Sequence, residues 1–473
     1  MNMDQGFNLG FRLLSLRCMR HIVRLALLAG VVSGGAQAVS AQSFEDELER
    51  VLSEHPRIRA AEQSLRAAEK GIDGARAAFL PRVTFSGDTG YEHIDSPDRR
   101  SIQGEPSSLP RQKGTLTATQ NLFSGFQNSA AFDVSRLEAN RAALVLERTR
   151  QELTRDAINA HNDVIRDSQL VQLATLSEST ISRQLNLEDE RVQRGSGIAV
   201  DVLLAKTRLQ LAKERLVTFE GSLERSITRF EQVFGSSPAV VGLAAVEIPP
   251  SAVPRTLPEI RDSGRKENLD LKVAENRTTV ADERETIAES NFYPTVDLVG
   301  SSNYEDNVNT NRGIRRDYAL LLRVNWELFS GFRTQSAASG AAFAKNAARA
   351  SEADTRRRVE QDIGLAWEAL KTALERSELL LNAAALSREL FEARRRLRAA
   401  GQETALNVLD AETEVFNARI NQIRAEFDAR RARTQLLFSM GQLTPVHLFA
   451  AAPGALSGEE GPVDPETGDV AGR

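Results

Sequence analysis

The chain has 473 residues, a formal net charge of −5, 26% charged side chains of both signs and only 5% aromatics. Such mixed charge offers no basic surface for nucleic acid, so no nucleic-acid partner is expected. Its one cysteine, Cys18, lies near the start, and His55, His93, His161 and His447 are scattered without metal-ligand spacing or a partnered nucleophile, so no enzyme activity and no cofactor are expected.

Residues 1–41 carry Arg12, Arg17, Arg20 and Arg24, an apolar run from Leu25 to Val32, and small residues ending Val39-Ser40-Ala41. This reads as a secretory signal cleaved after Ala41, with Ala38 the alternative and Met19 a second candidate start. Cys18 follows an arginine, which is not a lipoprotein context, so no lipid anchor is expected. Beyond the leader no run of about eighteen apolar residues occurs, so any bilayer crossing must use strands rather than helices.

A first unit is placed at 42–235. A helix from Ser43 to Ala78, favoured at its start by Glu45, Asp46 and Glu47 and interrupted at His55-Pro56, stops at Pro81. A strand at 82–92 sets Val83, Phe85, Gly87, Thr89 and Tyr91 on one face and Thr84, Ser86, Asp88 and Glu92 on the other. A polar loop with Pro97, Pro106 and Pro110 leads to a strand at 114–123. Pro-free helices follow at 126–194 and 200–234, the first about 100 Å long at about 1.5 Å per residue, and Gly195-Ser196-Gly197 permits the reversal between them. Val202, Leu209, Leu216, Leu223 and Phe230 recur every seven residues, with Ala205, Ala212, Phe219 and Val233 three places on, as in a coiled-coil hairpin.

Residues 236–268, with Pro238, Pro249, Pro250, Pro254 and Pro258, mark a boundary segment. A second unit at 269–443 repeats the first, with strands at 295–305 and 317–329 and helices at 332–399 and 404–440. In it Ala411, Ala418, Ala425 and Ala432 hold the seam phase. Residues 444–473 form a C-terminal segment and a Gly-, Pro- and Glu-rich tail expected to be disordered.

In the second unit Tyr318, Leu320, Leu322, Val324, Trp326 and Leu328 alternate with Asp317, Ala319, Leu321, Arg323, Asn325 and Glu327. One such segment alone also fits a half-buried soluble strand. Four of them, paired in an exported chain, fit barrel strands with lipid outside and water inside, and Tyr91, Tyr304, Tyr318 and Trp326 are then interfacial aromatics. The smallest closed barrels have about eight strands, so several chains must share one.

The two units match at named residues. Asn121-Leu122-Phe123-Ser124-Gly125-Phe126 recurs 206 positions later as Glu327-Leu328-Phe329-Ser330-Gly331-Phe332, and Phe79-Leu80-Pro81 recurs 213 positions later as Phe292-Tyr293-Pro294. With Gly401, Asn407-Val408-Leu409-Asp410-Ala411 and Asn417-Ala418, these motifs resemble the TolC family of outer-membrane efflux and type I secretion channels over essentially the whole mature length. The resemblance implies a mainly α chain with membrane β, in which two repeats of a β-hairpin and a long coiled-coil hairpin build a homotrimer. Its twelve-stranded barrel, set in outer-membrane lipid, would continue into a periplasmic α-helical barrel. It also implies docking through a periplasmic adaptor to an inner-membrane ABC or RND-type pump.

The resemblance further places a pore constriction at Asn407 and Asp410, where the family carries two carboxylates, and sets Glu403 where it often has a basic residue. One ring of Asp410 in place of two implies weakened cation selectivity. Arg194, Gly195, Ser196, Gly197, Gly401 and Gln402 are implied adaptor-contact tips. From the residues alone, Asp410 reads as a solvated carboxylate, the tips as helix-reversing turns, and Arg394-Arg395-Arg396 with Arg398 as a solvated basic face. A periplasmic adaptor or scaffold with coiled-coil hairpins and no pore is the competing reading.

Overall fold

The computed structural model describes residues 44–445 apart from 196–197, 240–242 and 310. The expected signal at 1–41, the tail beyond 445, and Ser196 and Gly197 of the first tip lie outside the described residues. No described helix is long and apolar enough to cross a membrane.

α1 (Phe44–Glu54) and α2 (Pro56–Arg76) divide at the expected break. Pro56 opens α2 because the first turn has no use for its missing N–H, and His55 caps it by accepting from the Arg57 amide at 3.2 Å. A 3₁₀ turn over Ala77–Phe79 and then Pro81 lead into β1 (Arg82–Ile94), followed by α3 (Pro97–Gln103) and β2 (Ser107–Phe123). The loop expected between these strands is therefore much shorter, and Pro110 lies inside β2. Its carbonyl accepts from the Asn307 amide at 3.1 Å, beyond the point where β3 begins pairing at Gln112. The proline nitrogen points the same way, so no ladder bond is lost.

Strands β3 (Thr295–Asp306) and β4 (Ile314–Asn325) complete one antiparallel sheet in the order β1-β2-β3-β4. The strand expected at 317–329 ends at Asn325. Pro294 delays β3 until Thr295, which pairs with Asn325, so β4 has no partner beyond that point. Trp326 leaves the ladder and donates from Nε1 to the Phe292 carbonyl at 3.1 Å.

Each Ser-Gly-Phe motif turns a strand into a helix. Gly125 and Phe126 have φ of 62° and 71°, and Gly331 and Phe332 have 65° and 64°. Ser124 and Ser330 accept from the amides of Asn128 and Thr334, each at 3.2 Å, capping the helices that follow. A left-handed phenylalanine costs about 1–2 kcal/mol. Edge-to-face contacts at 5.5 Å (Phe123 with Phe126) and 5.7 Å (Phe329 with Phe332) offset about 0.5–1.5 kcal/mol of it.

The helical hairpins are α4 (Gln127–Gln193) with α5 (Ala199–Phe234), and α8 (Arg333–Ala399) with α9 (Ala405–Met440). Of the heptad positions, Val202, Ala205, Leu209, Ala212, Phe219 and Phe230 are buried, as are Ala411, Ala418 and Ala425. The proline-rich boundary contains α6 (Leu257–Glu267), started by a Thr256–Glu259 capping box, and α7 (Leu269–Glu289) follows at once. α9 ends against the start of α7: Asn268 donates from Nδ2 to the Ser439 carbonyl at 2.8 Å, and Gln151 of α4 donates to the Gly441 carbonyl at 2.8 Å. The core lies at this level, where Leu48, Ile58, Leu153, Phe230, Ile363 and Leu436 meet from six helices.

Candidate functional site

The strand registers place every pleat of the sheet on one of two unlike faces. Val83, Phe85, Tyr91, Leu116, Tyr318, Leu320, Leu322 and Val324 share one face, and all are exposed, Leu320 at 73%. The opposite face carries Asp88, Glu92, Arg111, Lys113, Asn303, Glu305 and Asp317. There Arg111 lies 2.9 Å from Glu92, Lys113 lies 3.0 Å from Glu305, and Asn303 donates to Asp317 at 2.7 Å. An exposed apolar face costs free energy in water and none in lipid, whereas the cross-strand ion pairs on the other face need a wet surface.

Aromatic residues bound the apolar band. Tyr91, Tyr304 and Tyr318 fall seven to nine residues along their strands from the helical end, and Trp326 marks that end. At about 3.4 Å per residue the separation is roughly 27 Å, close to the apolar height of a barrel in an outer membrane. Tyr304 is half-buried, with the Arg316 guanidinium 5.8 Å from its ring centre. Phe126, Phe329 and Phe332 join Trp326 at the helical end, all exposed. Their motif was plain in the sequence, but their level in the molecule depends on where β4 stops.

At the far end of the helices, Gly195 and Gly401 have φ of 74° and 76°. The Gly401 amide donates to the Arg398 carbonyl at 3.0 Å and the Gln402 amide to the Leu397 carbonyl at 2.9 Å, a Schellman ending that accounts for the glycine. Arg194 caps α4 from the same kind of turn, its amide bonded to the Glu190 carbonyl at 3.0 Å. Thr404 then caps α9 by accepting from the Asn407 amide at 3.2 Å.

Of the basic run before this turn, Arg395 and Arg396 are exposed as a solvated face would be, while Arg394 and Arg398 turn inward. Arg394 donates to the Asn407 carbonyl at 3.0 Å, and Arg398 donates to the Glu403 carbonyl at 3.2 Å and to Glu188 at 3.2 Å. Buried Glu188 on α4 also takes Arg191 at 2.9 Å, so one carboxylate joins the tips of both hairpins. Two arginines had to point inward because helix-end carbonyls and a buried carboxylate need donors.

Of the three expected constriction residues, Asn407 and Asp410 lie near the start of α9, and Glu403 just precedes its Thr404 cap. The Asn407 amide donates to Glu403, and that bond, aided by the Thr404 amide, holds the Glu403 carboxyl below its usual range. Asp410 lies 2.8 Å from Arg208 of α5. Sequence reading found neither Arg208 nor Glu188, because each pair joins positions about 200 residues apart whose alignment is set by how the two hairpins pack.

Glu412 is 3% exposed, and neither of its oxygens has a partner among the described residues. Burial raises its pKa from 4.5 to about 7, opposed by Arg183 of α4. The folded state thus keeps a proton that the unfolded chain releases, so stability falls as pH rises from 4.5 to about 7 and stays low above that. Glu412→Gln is expected to stabilise the protein at pH 8 by about 3 kcal/mol and to change little at pH 5, as read by thermal unfolding at both. Equal effects at the two pH values would refute the buried, protonated state.

A sheet with one lipid-compatible face and one polar face, joined to two helical hairpins with helices of 67 residues, defines a membrane-channel protein of the outer-membrane class. The description "Outer membrane efflux protein" matches residues 48–236 and 261–442, and the chain belongs to that family. It is 22% identical over 436 residues to the outer membrane efflux protein BepC of Brucella suis biovar 1, covering 90% of this chain and 91% of that one. It is 23% identical over 420 residues to the outer membrane protein TolC of Vibrio cholerae, covering 86% and 93%. The alkaline protease secretion protein AprF of Pseudomonas aeruginosa is 23% identical over 419 residues, covering 86% of each.

Among solved structures, the outer-membrane channel OprN superimposes with a TM-score of 0.72 at 19% identity, over 84% of this chain and 90% of that one. The open state of the Neisseria gonorrhoeae MtrE outer membrane channel gives 0.71 at 16% identity, over 85% and 90%. At these identities the structural likeness establishes the fold. The protein is an outer-membrane efflux or type I secretion channel, its family is one of transport channels rather than enzymes, and the pore-free adaptor reading finds no support.

Proposed function

We propose that three copies close one twelve-stranded barrel in the outer membrane and one periplasmic helical tube. Through the hairpin tips this tube docks to a periplasmic adaptor, and through the adaptor to an inner-membrane ABC or RND-type pump. The observation that carries this reading is the sheet, whose outer strands β1 and β4 each have an edge unpaired among the described residues while one face is apolar and exposed. Unpaired edges are not tolerated in lipid, and four strands are too few to close. The helices agree. α4 and α8 have equal length, yet α4 buries twenty residues and α8 only five among the described residues, because α4 has neighbours on both sides and α8 on one. Substrate choice then falls to the pump, and the channel supplies a wet passage.

In this assembly Asn407 and Asp410 narrow the periplasmic end, with Glu403 beside them and Arg194, Gly195, Ser196, Gly197, Gly401 and Gln402 at the docking tips. Pairing with Arg208 neutralises Asp410 within each copy. A half-exposed pair of this kind is worth about 0.2–1 kcal/mol, so it trims the pore's charge without locking it shut. The test is recording in planar bilayers. The parent channel is expected to be weakly cation-selective, Arg208→Ala to bare the carboxylates and raise that selectivity, and Asp410→Asn to bare the guanidinium groups and shift selectivity toward anions. Strong cation selectivity in the parent that Asp410→Asn removes would overturn the pairing.

A further inference from the structure

The heptad seam of α5 holds one polar residue. Leu216, Leu223 and Phe230 recur at one phase and Ala205, Ala212, Phe219 and Val233 at the other, but the position seven after Phe219 is Ser226. It is 2% exposed, and its hydroxyl donates to Asp167 of α4, itself 4% exposed. Arg166 closes on both Asp167 oxygens, at 2.8 and 3.0 Å. A buried ion pair set into an apolar seam brings little net stability, because desolvating the charges offsets their attraction. The interruption calls for another reason.

This polar floor lies under a cavity of about 330 Å³ between α4, α5 and α9. Its walls add Arg225 and Arg229 from α5, and Arg424 and Asp428 from α9. Ser222, Arg225, Ser226 and Arg229 fall at i, i+3, i+4 and i+7, so one face of α5 delivers two guanidinium groups and two hydroxyls together. Four arginines against two aspartates leave an excess of two positive charges in the lining. Both carboxylates are already engaged, Asp167 by Arg166 and Ser226 and Asp428 by Arg376 at 4.0 Å. Arg225 instead bonds Ser222 at 2.9 Å, Arg424 lies 5.6 Å from the centre of the Phe219 ring, and neither they nor Arg229 pairs with a carboxylate among the described residues. Like charges at i and i+4, as Arg225 and Arg229 are, destabilise a helix unless an anion lies between them.

We propose that this cavity is a binding site for a phosphate-class dianion, held by Arg225, Arg229 and Arg424 with the Ser222 hydroxyl beside them. The fork of a guanidinium matches a pair of phosphate oxygens, a geometry that a spherical chloride cannot use. Two excess charges suit a dianion. The three guanidinium groups are exposed, so the anion enters from solvent, while buried Asp167 and Ser226 fix the floor beneath it. Every wall belongs to one chain, so the site is complete in each copy whether or not copies share a barrel.

Isothermal titration of inorganic phosphate into the full-length chain in detergent, at pH 8 and constant ionic strength, is expected to show one saturable site per chain. Chloride at the same ionic strength should give none. Arg229→Gln with Arg424→Gln should weaken phosphate at least about tenfold, since a charge-assisted bond is worth that much, with helix content by circular dichroism unchanged. Ser222→Asp should abolish binding without removing an arginine, because it supplies a carboxylate from within. Arg66→Gln, at an exposed arginine of α2, should bind as the parent does. An absence of saturable binding by the parent, equal heats from chloride, or parent-like binding by the arginine and serine variants would overturn the site. Because binding is counted per chain, a single-copy species would contradict the shared barrel and leave this result standing.

Discussion

Replacing Leu322 by arginine is expected to keep the chain out of the outer membrane. Leu322 lies midway between Tyr318 and Trp326 on the exposed apolar face, opposite Leu298. Arginine near the midplane of a barrel's lipid face costs about 2–4 kcal/mol, and in a shared barrel that penalty recurs in every copy. Ala319→Arg is the control, because Ala319 lies on the polar face opposite Ser301, where a cation is hydrated. Membrane fractionation and the heat-sensitive band on gels read the outcome. The arginine at 322 should abolish the band, and the one at 319 should retain it. Equal insertion of the two would mean that the faces are assigned the wrong way round.

Gly441→Ala is expected to be the most damaging small substitution in the helical region. Gly441 has φ of 77°, and an added Cβ would collide with the Glu267 carbonyl and approach Asn268 Cα at 2.8 Å. That backbone cannot retreat easily, since Asn268 caps α7 by accepting from the Leu271 amide at 3.1 Å while donating to Ser439. The left-handed strain costs about 1–2 kcal/mol and overpacking about 1–3 kcal/mol more. Gly235, at the matching end of α5, has φ of 72°, but a Cβ there would meet nothing within 4 Å among the described residues, so Gly235→Ala should incur the strain alone. Thermal unfolding in detergent should therefore show a clearly larger loss at 441 than at 235. Equal losses would contradict the end-to-end stacking of α9 on α7.

The sequence carried the parts of this fold that repeat or alternate. Two copies of Leu-Phe-Ser-Gly-Phe and long Pro-free tracts located the hairpins, and period-two patterning grouped the residues of β1 and β4 as the strand ladders do, because side-chain alternation is a local property. Features that depend on a partner strand or helix were not legible. β4 stops at Asn325 because β3 starts after Pro294, and Pro110 enters β2 because its nitrogen points past the end of β3. α6 was hidden among prolines that also suit a first helical turn. At the candidate constriction, sequence placed Asn407 and Asp410 on one helix, with Glu403 just before it. It could not supply Arg208, nor turn Arg394 and Arg398 inward, since those contacts depend on how one hairpin lies against the other.

The central claim is that one copy is an incomplete cylinder, and native mass spectrometry of the full chain, extracted gently from outer membranes in detergent, tests it most directly. The account predicts a single species of three copies that heating converts to one. A stable single-copy species, under conditions where the helices remain folded, would contradict it.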